Sequence, residues 1–312
     1  MKIRMRQNPN QVTAKAAEER FISKKIAENC ANRTIEYYRI RIGQFLDYYG
    51  PDELVSEITE DTFDGYIYHL RTTTSANDIT INSYLRAVRA FLYYLMKQGY
   101  VRSFTCHLPK AEKKLKETYT DTELKLLLKK PDVSTCTFRE FRTWAMISYI
   151  LATGNRIETV RNLRIRDLDF ENGLITLTRT KNRKQQIIPM ANALQPVLRE
   201  FLDVRGGDDD SYIFCSETGS QATYGSLRDG LRKYNRKRGV NKTSAHLFRH
   251  TFAKKWIMAG GDIFRLQKML GHSDLTVTKE YLSIFGTDLQ QDFNKFNPLD
   301  TLSQGTKRIR MS

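Results

Sequence analysis

The sequence predicts a mainly α-helical protein in two parts: a separate all-α N-terminal bundle and an α+β unit that carries one small β-sheet. Three observations lead there. The 312-residue chain is long enough for two ordinary cores. Apolar residues recur at helical spacing through most of its length. Two short β-type runs, Leu174 to Thr180 and Gln186 to Pro189, flank the polar turn Lys181-Asn182-Arg183-Lys184 and read as a hairpin.

Residues 1–10 are polar and basic, and a flexible arm is expected there. Residues 11–100 read as a bundle of about four helices. One stripe runs through Ile35, Tyr38, Ile42, Phe45, Leu46 and Tyr49 and stops at Gly50-Pro51. A second, through Ile81, Leu85, Val88, Leu92 and Leu95, leaves Arg86 and Arg89 together on another face. Shorter helices are expected over Ala14 to Ala27 and Asp61 to Arg71. Residues 101–117 contain Pro109 and the charged run Lys110 to Lys116, without an apolar face, and read as a basic linker.

A second domain is expected over residues 118–286. Thr120 or Asp121 caps a helix that runs to Leu128, and Phe141 to Leu151 is the most apolar helix of the chain, ending at Thr153-Gly154. After the hairpin come helices over Asn192 to Val204 and Gly225 to Lys237. The latter carries Arg228, Arg232 and Arg236. Ser244 is a good N-cap for a helix from Ala245 to Met258, stopped by Gly260-Gly261. Asp262 then caps Ile263 to Leu270, which Gly271 ends, and Ser273 or Asp274 caps a last run, Leu275 to Ile284. The tail, residues 287–312, holds Leu289, Phe293, Phe296 and Leu299 and can form a final helix.

Lys and Arg total 51 against 35 Asp and Glu, a formal charge of +16, while 40% of residues are hydrophobic. A folded, strongly basic chain of this kind calls for a polyanion, with nucleic acid ahead of an anionic membrane. The sequence contains neither an apolar run approaching a membrane span nor a signal-peptide core. Cys30, Cys106, Cys136 and Cys215 form no CxxC pair, and the neighbours Cys106-His107 do not suit one tetrahedral site. Reduced thiols and a cytoplasmic, nucleoid-associated location follow as expectations.

The chemistry gathers in the boxes. His246 and Arg249, three apart, share a helix face, and short connections bring His272 and Tyr281 near them. No paired carboxylates or His/Cys set accompany them, so no metal and no cofactor are expected. Arginines offer a fixed fork of donors to phosphate oxygens. A tyrosine becomes a nucleophile only where positive charge or a base favours the phenolate. The constellation points to attack by tyrosine on a phosphodiester.

Ala152-Thr153-Gly154-Asn155-Arg156-Ile157-Glu158, His246-Leu247-Phe248-Arg249-His250, Leu270-Gly271-His272-Ser273 and then Tyr281 resemble, in order and spacing, the boxes of the tyrosine site-specific recombinases, the phage-integrase and Xer-type family. The resemblance implies a catalytic domain over residues 118–286. It also implies a helical core-binding, SAM-like DNA-binding domain over residues 11–100, and a C-terminal tail that docks on a neighbouring subunit. It makes Arg156 and Arg249 the clamp on the scissile phosphate and Tyr281 the nucleophile. His246 becomes base or hydrogen-bond partner, His272 a further phosphate donor, and Lys181 the acid for the leaving 5′-oxygen. Lys184 and Arg183 stand in the same turn as alternatives. The partners implied are a double-stranded DNA recombination site and a homo-tetramer assembled on two such sites, with no membrane. Arg86, Arg89, Lys113, Lys114, Arg228, Arg232 and Arg236 are candidate DNA contacts.

The chain departs from the pattern twice. Leu282-Ser283 follows Tyr281 where many members carry a histidine two residues after the tyrosine, and Asn155 stands where an apolar residue is common. The ten-residue arm is expected to be too short for the additional arm-type domain of some phage integrases. A DNA-relaxing topoisomerase of the tyrosine type and a non-catalytic DNA-binding protein are the competing readings.

Overall fold

Side-chain caps begin the helices at Ala14, Glu60 and Asp78 of the N-terminal part, while the helix at Asn32 starts after Ala31 without one. The Thr13 hydroxyl accepts the Ala16 amide at 3.3 Å and starts α1 (Ala14–Ala27). Next, α2 (Asn32–Tyr49) stops at Gly50, whose φ of +112° an L side chain rarely adopts. A reciprocal Thr59/Thr62 capping box opens α3 (Glu60–Thr73), and Asn77 accepts the Thr80 amide to open α4 (Asp78–Lys97). The computed structural model describes residues 11–111, 117–178 and 185–271. The chain divides into two units, Met1–Lys114 and Leu115–Ser312.

The first unit closes on Phe21, Ile42, Phe45, Phe63, Leu85, Val88, Phe91 and Leu92. Every member of the Ile81 to Leu95 stripe is buried. The Ile35 to Tyr49 stripe buries Ile42, Phe45 and Leu46 and packs its other members at the margin. The segment after α4 joins the same core. Val101 and Cys106 are buried in this core, Phe104 and Leu108 pack on it, and the Asn82 amide donates to the Pro109 carbonyl at 2.8 Å. Charge patterning hid this, because an extended segment docks through isolated apolar side chains that make no periodic face.

In the second unit, Thr120 and Glu123 form the capping box of α5 (Asp121–Leu128). Helix α6 (Phe138–Thr153) packs against α5 and against three later helices, α8 (Leu194–Arg205), α9 (Tyr224–Lys237) and α10 (Ala245–Met258). A helix surrounded in this way must be apolar almost all round, and Phe141, Trp144, Ile147, Tyr149 and Ile150 are all buried. Between α6 and α8 lie the short α7 (Ile157–Arg161) and an antiparallel sheet of β1 (Leu168–Asp169), β2 (Leu174–Leu177) and β3 (Gln186–Pro189), in that order. The hairpin pairs Leu174 with Pro189 and Leu177 with Gln186, turning Ile175, Leu177 and Ile188 inward. The first strand is an addition to the expected hairpin, since two residues are too few to show an alternation.

Helix α11 (Ile263–Leu270) packs on α10 through Phe252, Leu266, Met269 and Leu270, a small cluster apart from the main core. The arm, the run Lys113 and Lys114, the hairpin turn, the run Leu275 to Ile284 and the tail fall outside the described residues. No helix among the described residues is long and apolar enough to cross a membrane.

Candidate active site

Gly154 ends α6 in the left-handed conformation, φ +66°. A Cβ there would stand 2.5 Å from Phe252 Cδ1 and 2.6 Å from Leu270 Cδ2. Conformation and crowding thus both require glycine where α10 and α11 press on the end of α6. Asn155, which follows, is buried and donates its amide to the Tyr149 hydroxyl at 2.9 Å inside the core. Burial pushes the Tyr149 phenol well above its ordinary range, so it stays protonated and serves as a fixed polar partner. Asn155 therefore has a structural place: it braces the turn that delivers Arg156 to the start of α7.

Arg156 donates Nη1 to the Leu270 carbonyl at 3.4 Å. Arg249, on the buried face of α10, donates Nη1 to the Gly154 carbonyl at 2.7 Å and Nη2 to the same Leu270 carbonyl at 2.8 Å. Residues distant in the chain thus aim two permanent cations at one oxygen. Their repulsion is offset by the C-terminal end of α11, where the unpaired carbonyls of a helix and its dipole concentrate partial negative charge. Glu158, the obvious local partner for Arg156, pairs with Arg161.

His246 lies one turn before Arg249 on α10 and is exposed on one side. Desolvation by the surrounding protein, then the charge of Arg249, then that of Arg156, hold its pKa below the usual histidine range. At neutral pH it is an uncharged imidazole beside two guanidinium groups, able to accept a proton or a hydrogen bond. A cavity of about 300 Å³ opens beside it, between α7, α9 and the start of α10, lined among others by Ile157, Arg228, Arg232, Ser244 and His246. Arg161 fixes the entry to α9 by donating Nε to the Ala222 carbonyl at 2.9 Å.

Arg156, His246 and Arg249 are therefore brought together, with Arg228 and Arg232 on the adjoining groove. Arg236 is exposed further along α9, and in the first unit Arg86 is exposed and Arg89 half-buried on α4. Lys113, Lys114, Lys181, His272 and Tyr281 lie outside the described residues, His272 immediately after Gly271. Sequence reasoning missed the Leu270 carbonyl as the meeting point, since a backbone oxygen leaves no mark in a sequence. It also missed Gln186, whose amide reaches the carbonyls of Lys268 and Met269 across the fold.

The profile of the phage integrase family matches residues 117–286, more than half of the chain. The chain belongs to the phage integrase family. The N-terminal SAM-like domain of phage integrases matches residues 18–102, in the first unit. This member of the family is a tyrosine recombinase, an enzyme of DNA strand cleavage and religation. It is 27% identical over 288 residues to the tyrosine recombinase XerC of Oceanobacillus iheyensis, covering 88% of this chain and 93% of that one. To the tyrosine recombinase XerD of Halalkalibacterium halodurans it is 26% identical over 286 residues, with 88% and 94% covered. The Tn1549 transposon integrase, solved in complex with transposon right end DNA, shares the fold with a TM-score of 0.70 at 19% identity, covering 90% of this chain and 99% of that one.

Proposed function

We propose that this integrase recombines specific DNA sites through a covalent 3′-phosphotyrosine, with neither ATP nor a metal ion. The observation that carries the reading is the convergence of Arg156 and Arg249 on the Leu270 carbonyl with an uncharged His246 beside them. Two guanidinium groups so held present a preorganised positive field to the non-bridging oxygens of a phosphodiester. Tyr281 attacks phosphorus as His246 accepts its hydrogen bond or proton. The bond from phosphorus to the 5′-oxygen breaks, and Lys181, or Lys184 in the same turn, supplies the proton that the departing oxygen takes. His272 adds a donor to the phosphate. Because the phosphotyrosine keeps the energy of the broken linkage, a second 5′-hydroxyl can reverse the attack and join a new partner strand.

The partner is a duplex DNA site. Arg228 and Arg232 on the groove beside His246, and Arg236 beyond them, are proposed to hold the backbone flanking the scissile phosphate. Arg86 and Arg89, with Lys113 and Lys114, add phosphate contacts. A homo-tetramer on two sites, linked through the tail, completes the exchange.

The test is to incubate the protein with genomic DNA fragments and look for an SDS-resistant protein–DNA adduct. It should form with the wild type, persist in EDTA and vanish in Tyr281→Phe. Sequencing the trapped DNA gives the target site. An adduct that survives Tyr281→Phe, or one that needs Mg²⁺, overturns the mechanism. Recombinant products from two marked copies of that site separate exchange from simple relaxation.

A further inference from the structure

The last turn of α11 has a feature that the phosphate clamp alone does not explain. Its three final carbonyls are those of Lys268, which accepts the Gly271 amide at 3.0 Å, Met269 and Leu270. Leu270 receives Arg156 and Arg249. The other two receive a side chain from another part of the unit: Gln186, the first residue of β3, donates Nε2 to the Lys268 carbonyl and, at 3.4 Å, to the Met269 carbonyl. Its other amide atom, Oε1, would be 3.1 Å from a Cβ at Gly271, whose φ is +62°. Both the amide and the glycine thus fit the same tight seat.

The sheet has no need of this bond to form. Ile175, Leu177 and Ile188 anchor β2 and β3 in the core, and the ladder is complete between Leu174 and Gln186. What the bond fixes is the position of three consecutive peptide groups, the last of which orients both arginines. We infer that Gln186 is a positioning residue for the arginine clamp: it pins the end of α11 to the sheet and thereby sets where Arg156 and Arg249 stand relative to the scissile phosphate. The inference rests on the reading that these arginines neutralise charge on the non-bridging oxygens.

A substrate that carries less charge should then need Gln186 less. In the test, single-turnover cleavage by the full chain is measured on the trapped DNA site with an ordinary scissile phosphate. It is measured again with a methylphosphonate there, in which a methyl group replaces one charged oxygen. Gln186→Met keeps the size and removes the donor; Gln186→Glu keeps the shape and sets a carboxylate against two carbonyls. Both are expected to slow cleavage of ordinary DNA by about 10-fold to 100-fold, and to cost no more than about 3-fold on the methylphosphonate once its charge is absent. The ratio of the two rates comes from one preparation, so it is unaffected by any loss of folded protein.

Equal losses on both substrates, or wild-type rates on ordinary DNA, would overturn the role of Gln186. Arg249→Ala is the companion measurement. If its loss is not relieved by the methylphosphonate, the clamp reading itself fails. If Arg249→Ala is relieved and the Gln186 variants are not, the clamp stands and only the positioning role falls.

Discussion

At the residue scale, charge and close contact decide most. Desolvation first, then the charges of Arg249 and Arg156, disfavour the protonated form of His246 in the folded protein. In the free protein an NMR titration should place its midpoint below the ordinary value of about 6.5, and Arg249→Ala should move that midpoint upward. The stability linked to this depressed pKa is complete above the unfolded value and falls as pH drops through the folded one. A midpoint at or above the ordinary value would refute the stated causes. Gly154 gives the second residue-scale prediction. Gly154→Ala combines a left-handed backbone with sub-van der Waals approach to Phe252 and Leu270. It should lose roughly 2–4 kcal/mol in urea unfolding, from conformational strain and overpacking together.

At the scale of elements, the fold shows which polar residues belong to the scaffold rather than to the chemistry. The bond from Asn155 to Tyr149 ties the turn after α6 to the helix itself. Replacing one member leaves a buried group without its partner, whereas replacing both by apolar residues of similar shape does not. Asn155→Leu and Tyr149→Phe should each cost about 1–3 kcal/mol, while the double variant recovers most of that loss. Simple additivity in the double-mutant cycle would show that the pair is uncoupled. The caps that began α5, α10 and α11 were readable because Thr120, Ser244 and Asp262 act within three residues of themselves. The segment after α4 was not: Val101 and Cys106 dock singly on a core built from residues far away, and burial then drives the Cys106 thiol up to about 11.

At the scale of the whole molecule, the governing quantity is the formal charge of +16. If DNA is held through many phosphate contacts, released counterions make the affinity fall by about 10³-fold or more between 50 and 200 mM salt. Arg228→Ala and Arg232→Ala should each weaken binding on every sequence alike and reduce the slope of log affinity against log salt by about one. An unchanged slope would remove α9 from the DNA interface. Loss of discrimination between sites, with the slope intact, would assign these arginines to base edges instead of phosphates.

The sequence by itself determined most of the helices, several of their caps and stops, the paired strands β2 and β3, the basic character and the order of the boxes from Arg156 to Tyr281. All of these arise from interactions within a turn or two of the chain, or from composition, and such interactions leave a period or a spacing behind. Only the tertiary structure decided that Arg156 and Arg249 meet on the carbonyl of Leu270, that Asn155 is a brace, and that Gln186 reaches the end of α11. Those contacts join segments distant in the chain through single hydrogen bonds, several of them to backbone atoms that every residue possesses. No local pattern can encode a partner of that kind; the packing of α6, α10 and α11 selects it.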